Sequence, residues 1–203
     1  MKKLLTVLAA SVAMAFATSA YAQNWTAAGG FSFFQLSGSD ADYVSDESIP
    51  GFYFGLNYDY AFSTIEGLTV EPGVYFMHYG KTFSFHGIAE KSYHSNYIRV
   101  PVNLKYSYPL TGNFSISGFT GPRFNIGVGG NMFSKGDTYM GLKAFDFQWG
   151  LGAAGLISDA IMVRIGYDFG ITKCVKDNTD IDLNFKNLNI HRNTFYVGIG
   201  FTF

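Results

Sequence analysis

Residues 161–171 read Ile-Met-Val-Arg-Ile-Gly-Tyr-Asp-Phe-Gly-Ile, and the alternation in this stretch decides the fold class. Side chains along a β-strand point to opposite faces in turn, so odd and even positions can be compared separately. The odd positions carry only large apolar or aromatic side chains. The even positions include Arg164, Gly166, Asp168 and Gly170. The segment is therefore predicted to be a strand with one apolar face and one face of glycine and charge.

The same two-face pattern recurs along the chain. It is found at residues 25–36, 52–60, 68–76, 97–108, 114–128, 145–152 and 194–203. Short, turn-rich connections lie near 63–67, 109–113 and 158–160, and long, mostly polar ones near 37–50, 80–94, 130–141 and 173–191. Short turns at one end and long loops at the other are typical of outer-membrane barrels. The sequence thus predicts an all-β, antiparallel up-and-down transmembrane β-barrel of about eight strands.

The chemistry of the two faces distinguishes a membrane barrel from a soluble carrier of similar topology. A soluble carrier needs a polar exterior around an apolar cavity, whereas the interior of an eight-stranded barrel is only wide enough for side chains to fill it. Glycine, serine and paired charges suit that interior, and rows of Phe, Leu and Ile suit lipid. Aromatic residues make up 18% of the chain and charged residues only 14%, which favours an apolar exterior. The predicted location is the bacterial outer membrane.

The predicted inner faces carry acids and bases in equal number. The acids are Asp59, Glu71, Asp146 and Asp168, and the bases are Arg99, Lys105, Arg123 and Arg164. An isolated charge in a narrow lumen would be costly, but opposite charges can pair and hydrogen-bond. We predict that these eight residues form a lumen charge network that makes the small barrel rigid. An ion path or a gated pore is the functional alternative.

The first 22 residues have the order of features found in a secretory signal peptide. Lys2 and Lys3 precede an apolar run of about a dozen residues, and Ala20-Tyr21-Ala22 supplies small residues at a cleavage site. We predict a signal peptide over 1–22, cleaved after Ala22, and a barrel domain over 23–203. The mature chain would hold 12 basic and 15 acidic residues, a net charge of −3 that argues against a nucleic-acid partner. Cys174 is the only cysteine, so no internal disulfide is expected.

Three stretches of the chain resemble those of known outer-membrane barrels. The C-terminal run Phe-Tyr-Val-Gly-Ile-Gly-Phe-Thr-Phe at 195–203 resembles the assembly signal of bacterial barrels, with Gly198, Phe201 and Phe203 in the positions that carry it. Tyr-Ile-Arg-Val-Pro-Val-Asn-Leu-Lys-Tyr at 97–106 and Gly-Phe-Thr-Gly-Pro-Arg at 118–123 are similar to strands of the porin-like, PorT-like barrels of Bacteroidetes. The resemblance implies an eight-stranded barrel.

The resemblance also implies the class of function. Some relatives are accessory factors in protein secretion, and barrels of the OmpX and OmpA type, similar in architecture, act in adhesion and envelope integrity. We therefore expect a non-enzymatic barrel with a structural, adhesion or secretion-accessory role. Its expected partners are outer-membrane lipid, the barrel-assembly machinery and a protein bound at the extracellular loops. No catalytic residue, metal or cofactor is predicted.

Three features leave alternatives open. Ser84 and His86, like Ser92 and His94, are two residues apart and could share a strand face, which would suit a lipid-modifying enzyme. Acidic residues cluster near 40–47 and 177–182, where solvated loop charge is favoured over cation binding. Alternation continues at 82–85 and within 173–191, which predicts projecting hairpins whose exposed edges could take a partner strand.

Overall fold

The structure is a computed structural model that describes residues 25–39, 48–85, 89–133, 141–176 and 189–203, with backbone alone for 83–85 and 89–91. The predicted signal peptide, His86 and the two acidic clusters at 40–47 and 177–182 lie outside the described residues. In the described part of the chain, no helix is long and apolar enough to cross a membrane.

The described chain forms one closed antiparallel barrel of eight strands, which confirms the predicted fold class. The strands are β1 (Trp25–Ser37), β2 (Ile49–Tyr58, continued beyond Asp59 by Tyr60–Ala61), β3 (Leu68–Phe85), β4 (Ala89–Thr111), β5 (Phe114–Gly129), β6 (Phe145–Ile157), β7 (Ile161–Gly170) and β8 (His191–Thr202). Each strand pairs with its neighbours in sequence. β1 pairs with β8 from Thr26↔Thr202 to Ser37↔His191, and this seam closes the barrel.

The connections follow the predicted short and long rhythm. The range 80–94 is mostly strand rather than loop, because β3 and β4 continue through it and still pair at Ser84↔Glu90 and Phe85↔Ala89. This is the projecting hairpin that the alternation at 82–85 predicted, whereas the hairpin predicted within 173–191 lies mostly outside the described residues. Two antiparallel strands satisfy each other's backbone hydrogen bonds, so they can extend beyond the rest of the sheet. The third long connection contains a short 3-10 turn, Asn131–Phe133.

The two faces of the barrel have the predicted chemistry. Thirty large hydrophobic or aromatic side chains of the described residues are exposed, among them Phe31 at 67% and Ile199 at 58%. A soluble protein would not expose an apolar band of this extent. Neighbouring inward positions are buried and polar, as with Arg164 and Asp168 on β7. The aromatic rows therefore face outward.

Glycines on the inner face provide space for large inner side chains on neighbouring strands. A Cβ atom added at Gly166 would lie 2.3 Å from the Tyr196 hydroxyl oxygen, and one added at Gly198 would lie 2.2 Å from that of Tyr53. One added at Gly152 would lie 2.4 Å from the Phe119 ring. Large and small side chains thus interlock across the lumen, as the interior of a narrow barrel requires.

Candidate functional site

The first part of the lumen, nearest the short turns, is organised around Glu71 of β3. This carboxylate is fully buried, and both of its oxygens accept hydrogen bonds of 2.5 Å from Nη2 of Arg164 on β7. The Asn103 side-chain amide donates to Oε1 at 2.6 Å. Lys105 Nζ lies 3.2 Å from Oε2 and 2.5 Å from Asp59 Oδ2. These five residues are called the lower cluster.

The middle of the lumen is organised around Asp168, which is also fully buried. Arg99 Nη1 donates to Oδ2 at 2.6 Å, and Arg123 Nε lies 3.2 Å from Oδ1. Arg99 also donates to the side-chain oxygens of Asn125 at 2.7 Å and Gln148 at 2.9 Å. Through Arg99 and its partners Asn125, Gln148 and Asp168, this middle cluster joins β4, β5, β6 and β7.

The end of the lumen opposite the short turns contains a third ion pair. Arg192 Nη2 donates to Asp146 Oδ1 at 2.8 Å and to Oδ2 at 3.1 Å. The Arg192 guanidinium also lies 4.0 Å from the centre of the Tyr97 ring, a cation–π geometry. Asn125 and Gln148 link this upper cluster to the middle one, since Gln148 Nε2 donates to the backbone oxygen of Arg192 at 2.5 Å.

All eight residues of the predicted lumen charge network point into the barrel, and each takes part in an ion pair. Seven of them pair within the predicted set, whereas Asp146 pairs with Arg192, which the sequence analysis missed. The last strand was predicted to begin at Thr194. β8 begins at His191, and continuing its even-numbered inward positions by one step would have found Arg192.

An apolar cap covers the upper end of the lumen. Its buried side chains are Met132, Leu142, Cys174, Val175 and Ile190, which come from the connections β5–β6 and β7–β8. Backbone hydrogen bonds join them, from Leu142 N to Met132 O at 2.7 Å and from Cys174 N to Ile190 O at 3.0 Å. The cap packs on the upper cluster through Phe133, whose ring lies 5.2 Å from that of Tyr97.

Cys174 is part of this cap rather than a reactive site. Burial raises the pKa of its thiol to about 12, and Sγ lies 3.5 Å from the backbone oxygen of Ile190. Because the thiolate is the reactive form, the thiol is held protonated and inert at neutral pH.

The Ser84 side chain and His86 lie outside the described part of the chain, so the structure describes only the pair Ser92 and His94. Ser92 Oγ is hydrogen-bonded to Thr82 Oγ1 at 2.9 Å, and the backbone nitrogen of His94 donates to Asn131 Oδ1 at 2.8 Å. His78 Nδ1 lies 2.7 Å from Asn96 Oδ1. Among the described residues, no group of three or more His, Cys, Asp or Glu side chains could hold a metal ion.

The sequence matches a known family over residues 21–176, and that family is described as the outer membrane protein beta-barrel domain. The chain belongs to this family. Together with the closed barrel and its apolar exterior, membership makes the protein an integral outer-membrane β-barrel. No curated protein matches the sequence.

Solved structures of outer-membrane proteins are similar to this chain at low sequence identity. Neisserial surface protein A is 12% identical, with a TM-score of 0.53 over 88% of this chain and 97% of that one. Ail, the attachment invasion locus protein of Yersinia pestis, is 10% identical, with a TM-score of 0.46 over 90% and 100%. OprG from Pseudomonas aeruginosa is 12% identical, with a TM-score of 0.46 over 90% and 96%.

Proposed function

We propose that this outer-membrane barrel is a non-conducting, non-enzymatic anchor that displays the β3–β4 hairpin outside the cell to bind a protein partner, in adhesion or as an accessory of secretion. The observation that carries the proposal is the combination of a filled lumen and a projecting hairpin. Three ion-paired clusters and an apolar cap occupy the interior. The extended structure beyond the barrel is concentrated in two strands, β3 and β4.

The hairpin extends beyond the points where its neighbours stop. The last pair between β2 and β3 is Gly51↔Tyr79, and the last between β4 and β5 is Asn96↔Gly129. Residues 80–85 and 89–94 therefore pair only with each other among the described strands, over about 20 Å at roughly 3.4 Å per residue. Long connections lie at this end, which is the extracellular end in outer-membrane barrels.

The two edges of the hairpin differ. On the β4 edge, the Asn131 side chain imitates a strand partner, because its oxygen accepts from His94 N at 2.8 Å and its nitrogen donates to Ser92 O at 2.7 Å. The β3 edge above Tyr79 has no strand beside it in the described part of the chain. Such an edge can take an extended segment of another protein as an additional strand. The β3 edge is the proposed binding surface.

Removal of the hairpin tests this role. Residues 80–94 are replaced by an Asn-Gly turn that joins Tyr79 to Ser95, which are the last residues before the projecting part. We expect the variant to reach the outer membrane and to shift on a gel after boiling, as the intact barrel does. Cells that display it should lose adhesion to protein-coated surfaces down to the level of cells without the protein. Adhesion equal to that of cells displaying the intact chain would contradict the proposal.

The filled lumen is tested by planar-bilayer recording. Purified, heat-modifiable protein should give no discrete conductance steps in about 1 M salt, where the Debye length is only about 3 Å, because paired side chains occupy the lumen and a cap covers its upper end. Steps of uniform size that disappear when the protein is omitted would show an open path and would support the narrow-pore alternative instead.

We also propose how the protein reaches the outer membrane and which subgroup of the family it belongs to. Export by a signal peptide over residues 1–22 is supported by the charge, apolar run and small residues at that end of the chain. Insertion by the barrel-assembly machinery is supported by Gly198, Phe201 and Phe203 in the C-terminal run, and lipid as a partner by the exposed aromatic rows. The strand sequences at 97–106 and 118–123 support the PorT-like subgroup of Bacteroidetes. No nucleic-acid partner is proposed.

A further inference from the structure

A small cavity lies in the lumen where the lower and middle clusters meet. Its volume is about 30 Å³, and its walls include Tyr53, Arg99, Asn103, Arg123 and Arg164. This space suits one or two water molecules or a single ion of similar size. The nine wall residues include three arginines, which bring donors and positive charge to the cavity, and the apolar Met77 and Pro101.

The charges around this cavity do not balance. Arg99 and Arg123 share the single carboxylate of Asp168. Arg164 shares Glu71 with Lys105, and Lys105 is also paired with Asp59. With Arg192 paired to Asp146, the lumen holds five bases and four acids among the described residues. One positive charge therefore lacks a counter-charge in the described lumen, and the surplus lies beside the cavity.

The wall residues also carry polar atoms that have no hydrogen-bond partner in the described chain. Arg123 Nη2 and Arg164 Nε can only donate, Asn103 Oδ1 can only accept, and the Tyr53 hydroxyl can do either. Arg123, Arg164 and Tyr53 are 2%, 5% and 6% exposed. Buried polar groups in folded proteins are nearly always hydrogen-bonded, so each of these atoms points to a bound group. Two guanidinium donors and a hydroxyl that can also donate favour a group that accepts hydrogen bonds.

We propose that the cavity binds one monovalent anion of the size of chloride, held by Arg123, Arg164 and Tyr53. A water molecule could satisfy the donors, but it would leave the surplus positive charge buried and uncompensated. One monovalent anion balances the surplus of one positive charge, and a cavity of about 30 Å³ has space for it. Because the site is buried, the ion is enclosed when the barrel closes and acts as a structural part of the lumen. This inference goes beyond the proposed anchoring role and does not depend on the hairpin.

Refolding in different salts tests the site. The unfolded mature chain is refolded in sodium bromide, sodium chloride or sodium gluconate at equal ionic strength. We expect the midpoint of the heat-induced gel shift to be about 5 °C or more higher in either halide than in gluconate. Crystals grown in bromide should show one anomalous peak in the cavity between Arg123, Arg164 and Tyr53.

Two matched variants test whether the halide dependence of the midpoint arises in the cavity. Arg123→Met removes the surplus charge and one donor, so its midpoint should no longer depend on halide. Arg192→Met also removes a buried arginine but leaves the cavity intact, so its halide dependence should persist. Equal midpoints of the unmodified protein in halide and gluconate, or no bromide peak in the cavity, would overturn the proposal. Loss of the halide dependence in Arg192→Met would also overturn it. If a variant does not fold, the bromide experiment on the unmodified protein decides the question.

Discussion

Replacement of Glu71 by alanine is expected to destabilise the barrel by about 3–5 kcal/mol, the cost of breaking a buried ion pair from one side. Glu71 accepts hydrogen bonds from Arg164, Asn103 and Lys105 in a fully buried position. Its removal leaves the Arg164 guanidinium without its carboxylate partner, whereas Lys105 retains Asp59. The change is measured as the free energy of unfolding in urea, with the protein in lipid vesicles.

Two controls separate loss of the ion pair from loss of packing. Glu66→Ala changes an exposed glutamate in the turn before β3 and should leave the unfolding curve unchanged. The double variant Glu71→Met with Arg164→Met replaces both charges by apolar side chains, and it should recover a large part of the lost stability. A Glu71→Ala variant destabilised by less than about 1 kcal/mol, the size of an exposed pair, would show that the buried charges are not coupled as described.

Replacement of Gly30 by valine is expected to prevent closure of the barrel. Gly30 lies on β1, opposite Gly198 of β8, at the seam between the first and last strands. A Cβ atom at this position would lie 2.1 Å from the Val197 backbone oxygen and 2.5 Å from Gly198 Cα. Backbone atoms of a paired strand cannot move aside without breaking its hydrogen bonds. The expected cost is therefore about 4 kcal/mol or more, beyond the usual range for overpacking.

The outcome is read from the heat-modifiable band in the outer-membrane fraction. The Gly30→Val chain should give no band that shifts on boiling, and it should be degraded in the periplasm. Gly118→Val is the matched control, because Gly118 is an exposed strand glycine on β5 and a Cβ atom there would meet nothing within 4 Å. That variant should insert and shift normally. Normal insertion of Gly30→Val would show that the seam is wider than the structure has it.

Much of the barrel could be predicted from the sequence because its signal is local. The alternation at 161–171 identifies a strand, its faces and the inward direction of Arg164 and Asp168 without reference to any other segment. The same alternation at 82–85 predicted the projecting hairpin of β3 and β4. It placed the start of the last strand at Thr194, three residues too late, and so left Arg192 out. Loop length alone does not show where pairing stops.

The sequence by itself determined the membrane location, the number of strands and eight of the nine charged side chains in the described lumen, because a two-residue period is a property of each strand alone. Only the tertiary structure decided which charges meet. Arg164 and Glu71 are 93 residues apart, and Arg99 and Asp168 are 69 apart. Their pairing depends on the register and stagger of strands around the closed barrel. The cavity with its surplus positive charge is likewise a feature of the tertiary structure, since it lies between side chains of different strands.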